Sequence, residues 1–166
     1  MSFTPAARPT RNIVLGQILR SLRRLRRMRT RELAAAMQLP LRSYEHFEAA
    51  AGRINLDRIE SFARETDTDP HAIWAALMIG SPRFALRAAN NKAMIAFLIA
   101  LQEFDERLGD GIEQLETSAF VAAFTEAFEA LALEAEAKES QKRAWLEGAR
   151  KIMGGPRGRV ADDDDR

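Results

Sequence analysis

The segment Leu19–Glu48 constrains the fold more than any other part of this 166-residue chain. It contains the end of a basic helical pattern, a short helical pattern around Glu32–Ala34, a tight turn, and a second short helical pattern ending in Phe47-Glu48. Short amphipathic helices bury their apolar faces only when they brace one another. We see no alternating, strand-like pattern elsewhere, so the sequence predicts an all-α fold.

Charge is distributed unevenly along the chain. Residues 1–60 contain 12 arginines and 5 acidic residues, whereas residues 61–166 contain 13 basic and 19 acidic residues, so a net charge of +1 hides a basic front and an acidic back. This asymmetry predicts that only the first part of the chain meets a polyanion.

Several functional classes find no support in the sequence. The chain has no cysteine, and His46 and His71 lie far apart without other ligands near them, so we expect no metal site. Ser43 has no base spaced to activate it, and phosphate-binding, dinucleotide-binding and hydrolase motifs are absent. We therefore expect no enzyme activity and no cofactor.

The hydropathy pattern predicts a cytoplasmic protein without a membrane partner. Residues 1–12 lack the apolar core of a signal peptide, and the longest apolar run, Ala93–Leu101, is too short to span a bilayer. The alanine- and arginine-rich composition is typical of a bacterial protein from a GC-rich genome, and a polyanion bound by the basic first part of the chain would place it at the nucleoid.

Apolar spacing predicts five helices over residues 13–81. Helix 1 is expected over Ile13–Arg27, helix 2 from an N-cap at Thr30, and helix 3 over about Pro40–Ala49. Asn55 and Asp69 are the expected N-caps of helices 4 and 5. The expected inward faces include Ile13, Leu15, Ile18, Leu19, Leu22 and Leu25 in helix 1, Leu33, Ala34 and Met37 in helix 2, Tyr44 and Phe47 in helix 3, Leu56, Ile59, Phe62 and Ala63 in helix 4, and Ile73, Trp74, Leu77 and Met78 in helix 5.

The second half is also expected to be helical. We predict a flexible arm over residues 1–12, a first domain over 13–81, a second over 82–153, and a disordered acidic tail over 154–166. One helix should begin near Asn90-Asn91 and reach Leu108, and another should carry a phenylalanine stripe. The segment Lys138–Met153 either continues that helix or folds back.

The second domain is predicted to form a homodimer. The run Ala93–Leu101 is apolar around most of a helix, and a unit of about seventy residues has little core to cover it. A second copy could supply that cover through Ile95, Leu98, Phe120, Phe124 and Phe128. The acidic face of the last helix could contact RNA polymerase or another regulator.

Leu15–Trp74 resembles the phage-repressor (Cro/C1, XRE) family of helix-turn-helix domains. The residues that carry the resemblance occur in the family's order and spacing; they are Leu19, Leu22, Arg23, Glu32-Leu33-Ala34, Tyr44, Phe47, Glu48, Leu56, Ile59 and Ala63. The resemblance implies a five-helix domain that reads duplex DNA as a dimer, with the recognition helix, about Pro40–Ala49, in the major groove.

The resemblance also implies residue roles. Arg23 and Glu48 would form a structural ion pair that ties helix 1 to helix 3. Base edges would be read by Leu41, Arg42, Ser43 and His46. The DNA backbone would be contacted by Arg20, Arg24, Arg27, Arg29, Thr30 and Arg53.

The chain departs from the family pattern at three positions. Gln38 and Ala50 stand where glycine is common, and Thr30 stands where a glutamine usually touches phosphate. These departures keep open an alternative, in which the helix-turn-helix serves a protein-interaction adaptor or antitoxin-like module that no longer reads DNA.

Overall fold

The computed structural model describes residues 10–153 and the side chains of residues 10–150. All regular structure in this range is helical, as the sequence predicts. The helices are α1 Arg11–Leu25, α2 Thr30–Ala36, α3 Leu41–Glu48, α4 Leu56–Glu65, α5 Pro70–Ile79, α6 Pro82–Ala88, α7 Ala93–Leu108 and α8 Thr117–Met153, with a 3₁₀ helix at Gly109–Gln114. The predicted arm up to residue 9 and the predicted tail over 154–166 lie outside the described residues.

The core of the first unit is centred on α1. Its buried residues follow one stripe, and they are Val14, Leu15, Ile18, Leu19 and Leu22. Ile13 and Leu25 are 52% and 48% exposed, so the predicted face was wrong at both of its ends. The reason is that Val14, not Ile13, continues the stripe of i, i+4 and i+8 positions through Ile18 and Leu22. Leu56 and Met78 are likewise exposed at 58% and 73%, each near a terminus of its helix.

The predicted N-caps of α4 and α5 are confirmed. The Asn55 side chain accepts a hydrogen bond from the Arg58 N–H, and Asp69 Oδ1 accepts one from the His71 N–H, both at 2.9 Å. The Thr30 prediction was wrong: Arg29 is the N-cap and Thr30 is the first helical residue of α2. The extended backbone of Arg29 lets the Glu32 carboxylate accept its N–H at 2.8 Å, which fixes the start of α2.

Four of the first five helices end with a non-glycine residue in the left-handed conformation. These residues are Arg27, Gln38, Ala50 and Asp67, with φ between 46° and 55°. At the end of α3 the Ala50 N–H donates to the Phe47 carbonyl and the Ala51 N–H donates to the His46 carbonyl, at 2.8 and 3.1 Å. Gln38 and Ala50 therefore adopt the conformation that the family's glycines supply more easily.

Glycine at position 50 is expected to stabilise the first unit. Ala50→Gly should raise the free energy of unfolding by about 0.5–1 kcal/mol, because glycine has no Cβ penalty at positive φ. The matched control is Ala49→Gly, since Ala49 has a right-handed φ of −72° and should lose stability instead. Urea denaturation of both variants checks the opposite signs; a loss at both positions would contradict the left-handed assignment.

The first unit continues past the Gly80–Pro82 break, where the sequence places a domain boundary. It ends at Arg107, and the second unit begins at Leu108. The short helix α6 packs against both α1 and α5 and buries Ala85 and Ala88, so it belongs to the first core. Its alanine-rich sequence gives little amphipathic signal.

In the second unit α8 is one uninterrupted helix, so the segment after Lys138 continues the phenylalanine-bearing helix. Of the described helices, none is by itself both long and apolar enough to cross a bilayer. One pair, Pro82–Ala88 with Ala93–Gln114, meets the length and composition together but is bent by 86°.

Candidate nucleic-acid interface

The eight-residue helix α3 has one buried side and one exposed side. Tyr44, Phe47 and Glu48 are buried, whereas Arg42 and His46 are exposed. Since residues three and four apart share a helix face, these two side chains lie together on the outer face of α3. The half-buried residues Leu41 and Ser43 flank them.

A buried charged network holds α3 against α1. Arg23 Nε donates to Glu48 Oε1 at 2.6 Å, and Arg23 Nη2 donates to Glu48 Oε2 at 3.2 Å. Tyr44 OH donates to Glu48 Oε1 at 2.8 Å, and Arg23 Nη1 donates to the Met28 carbonyl at 3.1 Å. The expected Arg23–Glu48 pair is thus in direct, two-pronged contact, and it also reaches the turn before α2.

The same network shifts two pKa values. Burial raises the pKa of Tyr44 well above its usual value near 10, and the hydrogen bond to Glu48 raises it further. The hydrogen bond to Glu48 also raises the pKa of Arg23. Both shifts favour the protonated forms of Tyr44 and Arg23 in alkaline solution.

Tyr44 is the only tyrosine in the chain, so tyrosinate absorbance reports its ionisation alone. Because its folded pKa is raised, the folded protein keeps the phenolic proton that the unfolded chain loses above pH about 10. The stabilisation is fully present below pH 10, and the free energy of unfolding should fall by about 1.4 kcal/mol per pH unit above it. Tyrosinate should therefore appear only as the protein unfolds; ionisation in the folded protein near pH 10 would contradict the buried network.

The backbones of α1 and α3 approach closely at Gly16. A Cβ atom on Gly16 would lie 3.2 Å from the Glu48 carbonyl oxygen and 3.5 Å from that of Ala49. Arg20 Nη2 lies 3.4 Å from the same point, so its guanidinium is close to the carboxyl end of α3. A cation is favourable there because the last carbonyls of a helix carry partial negative charge.

The loop after α3 is tied back to α1. Asn12 Nδ2 donates to the carbonyls of Ala50 and Gly52 at 2.8 and 2.9 Å. His46 Nε2 lies 3.5 Å from the point where a Gly52 Cβ would stand. Arg53, an expected backbone contact, directly follows this tied loop and is exposed.

The arginines around α1 divide into two groups. Arg24, Arg27 and Arg29 are exposed, in keeping with their expected role at phosphates, and Thr30 is half-buried. Arg26 instead serves the fold: Nε donates to the Thr66 carbonyl at 2.6 Å, and Nη2 donates to Asn90 Oδ1 at 2.6 Å and to the Asp67 carbonyl.

Three residues that support or line the exposed surface around α3 were not predicted from the sequence, and they are Asn12, Arg26 and Glu45. Nothing in the sequence signals the partners of Arg26 or Asn12, which lie about 40 positions away. The third, Glu45, could have been found from spacing, since it is exposed three residues after Arg42 and beside His46.

Residues 10–150 contain no group of three or more histidine or acidic side chains that could hold a metal ion. The comparisons with known proteins found no family model, no curated protein and no solved structure that matches this chain.

Proposed function

We propose that this chain is a sequence-specific, double-stranded DNA-binding transcription regulator that acts as a homodimer. In this proposal α2 and α3 form a helix-turn-helix, and α3 enters the major groove. The supporting observation is the division of α3: Tyr44 and Glu48 fix it in the core, while the exposed face that contains Arg42 and His46 is left for a partner.

The exposed face has the chemistry that base reading needs. Arg42 can donate two hydrogen bonds to O6 and N7 of guanine, and Glu45 can accept one from N4 of cytosine. Leu41 can pack on a thymine methyl, while Ser43 and His46 can bond to either base edges or phosphates.

Exposed arginines near α3 supply affinity without sequence information. Arg20 lies close to the carboxyl end of α3, and Arg53 follows the tied loop. Arg24, Arg27 and Arg29 extend the positive charge along the chain, with Thr30 at the start of α2. Each phosphate contact contributes about one unit to the slope of log affinity against log salt.

Selection of bound duplexes from a random DNA pool at near-physiological salt tests the proposal. We expect enrichment of a two-fold symmetric motif whose half-sites lie about one helical turn apart. An absence of enrichment would overturn the proposal, and would move weight to a protein-interaction adaptor with the same helices.

Two arginine variants should then separate reading from backbone contact. Arg42→Ala should weaken binding to the selected site by about 1–3 kcal/mol and relax the preference at one base pair. Arg24→Ala should weaken binding to all sequences alike and lower the salt slope by about one. Fluorescence anisotropy on selected and scrambled duplexes measures both effects.

The matched control is Arg83→Ala, which removes the same charge from an exposed position on α6. It should leave the selectivity unchanged. If Arg42→Ala and Arg24→Ala lose only binding to scrambled duplexes, then α3 is not the recognition helix.

A further inference from the structure

The helix α8 carries a long exposed apolar stripe. All residues from Val121 to Gly148 are exposed in the described chain, and the helix of 37 residues is about 55 Å long. The larger apolar members are well exposed, with Val121 at 59%, Phe128 at 62%, Leu131 at 60% and Trp145 at 70%. A stripe of this length on a single helix is stable in water only when another surface covers it.

The stripe has the spacing of a coiled coil. Its positions alternate in steps of three and four, and they are Val121, Phe124, Phe128, Leu131, Ala135, Lys138, Lys142, Trp145 and Ala149. A repeat of 3.5 residues keeps one seam facing a partner helix along a left-handed supercoil. The partner expected from this pattern is therefore another long helix.

The charges of α8 are separated along its length. Residues 117–136 contain four glutamates and no lysine or arginine, and the acids are Glu126, Glu129, Glu134 and Glu136. Residues 137–150 contain two lysines, two arginines and two glutamates, so this half is net positive. Two parallel copies would place the acidic halves side by side, whereas two antiparallel copies would place each acidic half beside a basic half.

We infer that α8 pairs with α8 of a second copy of this chain in an antiparallel two-helix coiled coil. The inference rests on the homodimer part of the proposed function and specifies its interface. Near the two ends of the pair, the phenylalanine-bearing segment of one copy lies beside the Trp145 segment of the other. In the middle, Lys138 and Lys142 lie near the partner's acidic residues, which explains lysines in an otherwise apolar seam.

The seam supplies a large part of the area that a stable interface needs. A standard interface buries about 800 Å² on each partner. A fully exposed aromatic side chain buries about 150–250 Å² when it is covered. Three of the nine seam positions are aromatic, and Phe124, Phe128 and Trp145 are 45%, 62% and 70% exposed. Their exposed parts supply about half of the standard area on each partner.

Spin labels on the full-length protein measure the orientation directly. Because the chain has no cysteine, Ser118→Cys and Ala132→Cys each create a single attachment site, and both positions lie beside the seam rather than in it. In the antiparallel pair the two labels at position 132 lie near the two-fold axis, within about 20 Å of each other, whereas the two labels at 118 are about 50 Å apart. A parallel pair would give a short distance at both positions.

Light scattering on the same samples separates the possible failures. A dimer with short distances at both positions, or with no short distance at either, overturns the antiparallel inference and leaves the dimeric regulator standing. A monomer at the concentrations that bind DNA overturns the homodimer and this inference together.

Discussion

Replacement of Glu48 by alanine is expected to lower the free energy of unfolding by about 3 kcal/mol. The side chains of Arg23 and Glu48 are only 14% and 11% exposed, and the substitution leaves a largely buried guanidinium without its carboxylate. It also removes the acceptor of the fully buried Tyr44 hydroxyl. Urea denaturation of the full-length protein, followed by far-ultraviolet circular dichroism, measures the loss.

The matched control is Glu45→Ala, which removes the same charge from the exposed side of α3. It should change stability by less than about 0.5 kcal/mol. The double variant Arg23→Met with Glu48→Leu should recover part of the loss, because it leaves neither charge unpaired. Equal losses for Glu45→Ala and Glu48→Ala would show that the network does not hold α3.

Valine at position 16 is expected to lower the free energy of unfolding by about 2–4 kcal/mol. The Cβ atom already meets the Glu48 carbonyl at 3.2 Å, and the two γ-methyl groups of valine need space that the backbones of α1 and α3 occupy. The variant can fold only by separating α1 from α3, which strains the Arg23–Glu48 contact. Thermal and urea denaturation measure the loss.

Gly148→Val is the control, since Gly148 is also within a helix but, apart from its chain neighbours and its own helix backbone, has no atom within 4 Å of the added Cβ. Here valine has a higher helix propensity than glycine and should be neutral or slightly stabilising. Similar effects at the two positions would mean that the α1–α3 approach is not close.

The local chemistry of helices was predictable where it depends on neighbouring residues. Asn55 and Asp69 cap the helices that follow them because a short polar side chain reaches an N–H two or three residues ahead. Thr30 failed as a cap because Glu32 satisfies the N–H of the preceding residue, and the helix begins one position earlier than the threonine signal implies.

Contacts that join distant parts of the chain were not predictable from spacing. Arg26 looks like any other arginine of a basic stretch, yet it binds carbonyls at the end of α4. The helix α6 has too few large apolar residues to show a face, although Ala85 is fully buried. The Arg23–Glu48 contact was anticipated only through the family resemblance, because periodicity alone cannot pair two residues across helices.

The division of α3 has a consequence for how the protein can change over time. Tyr44 and Glu48 anchor the helix, while Arg42, Glu45 and His46 are exposed and contribute little to folding. Exchange of an exposed residue usually alters stability by less than about 0.5 kcal/mol. These three residues can therefore be exchanged together while the scaffold stays the same. Under the proposed function, close descendants of this chain would acquire new DNA targets without passing through unfolded intermediates.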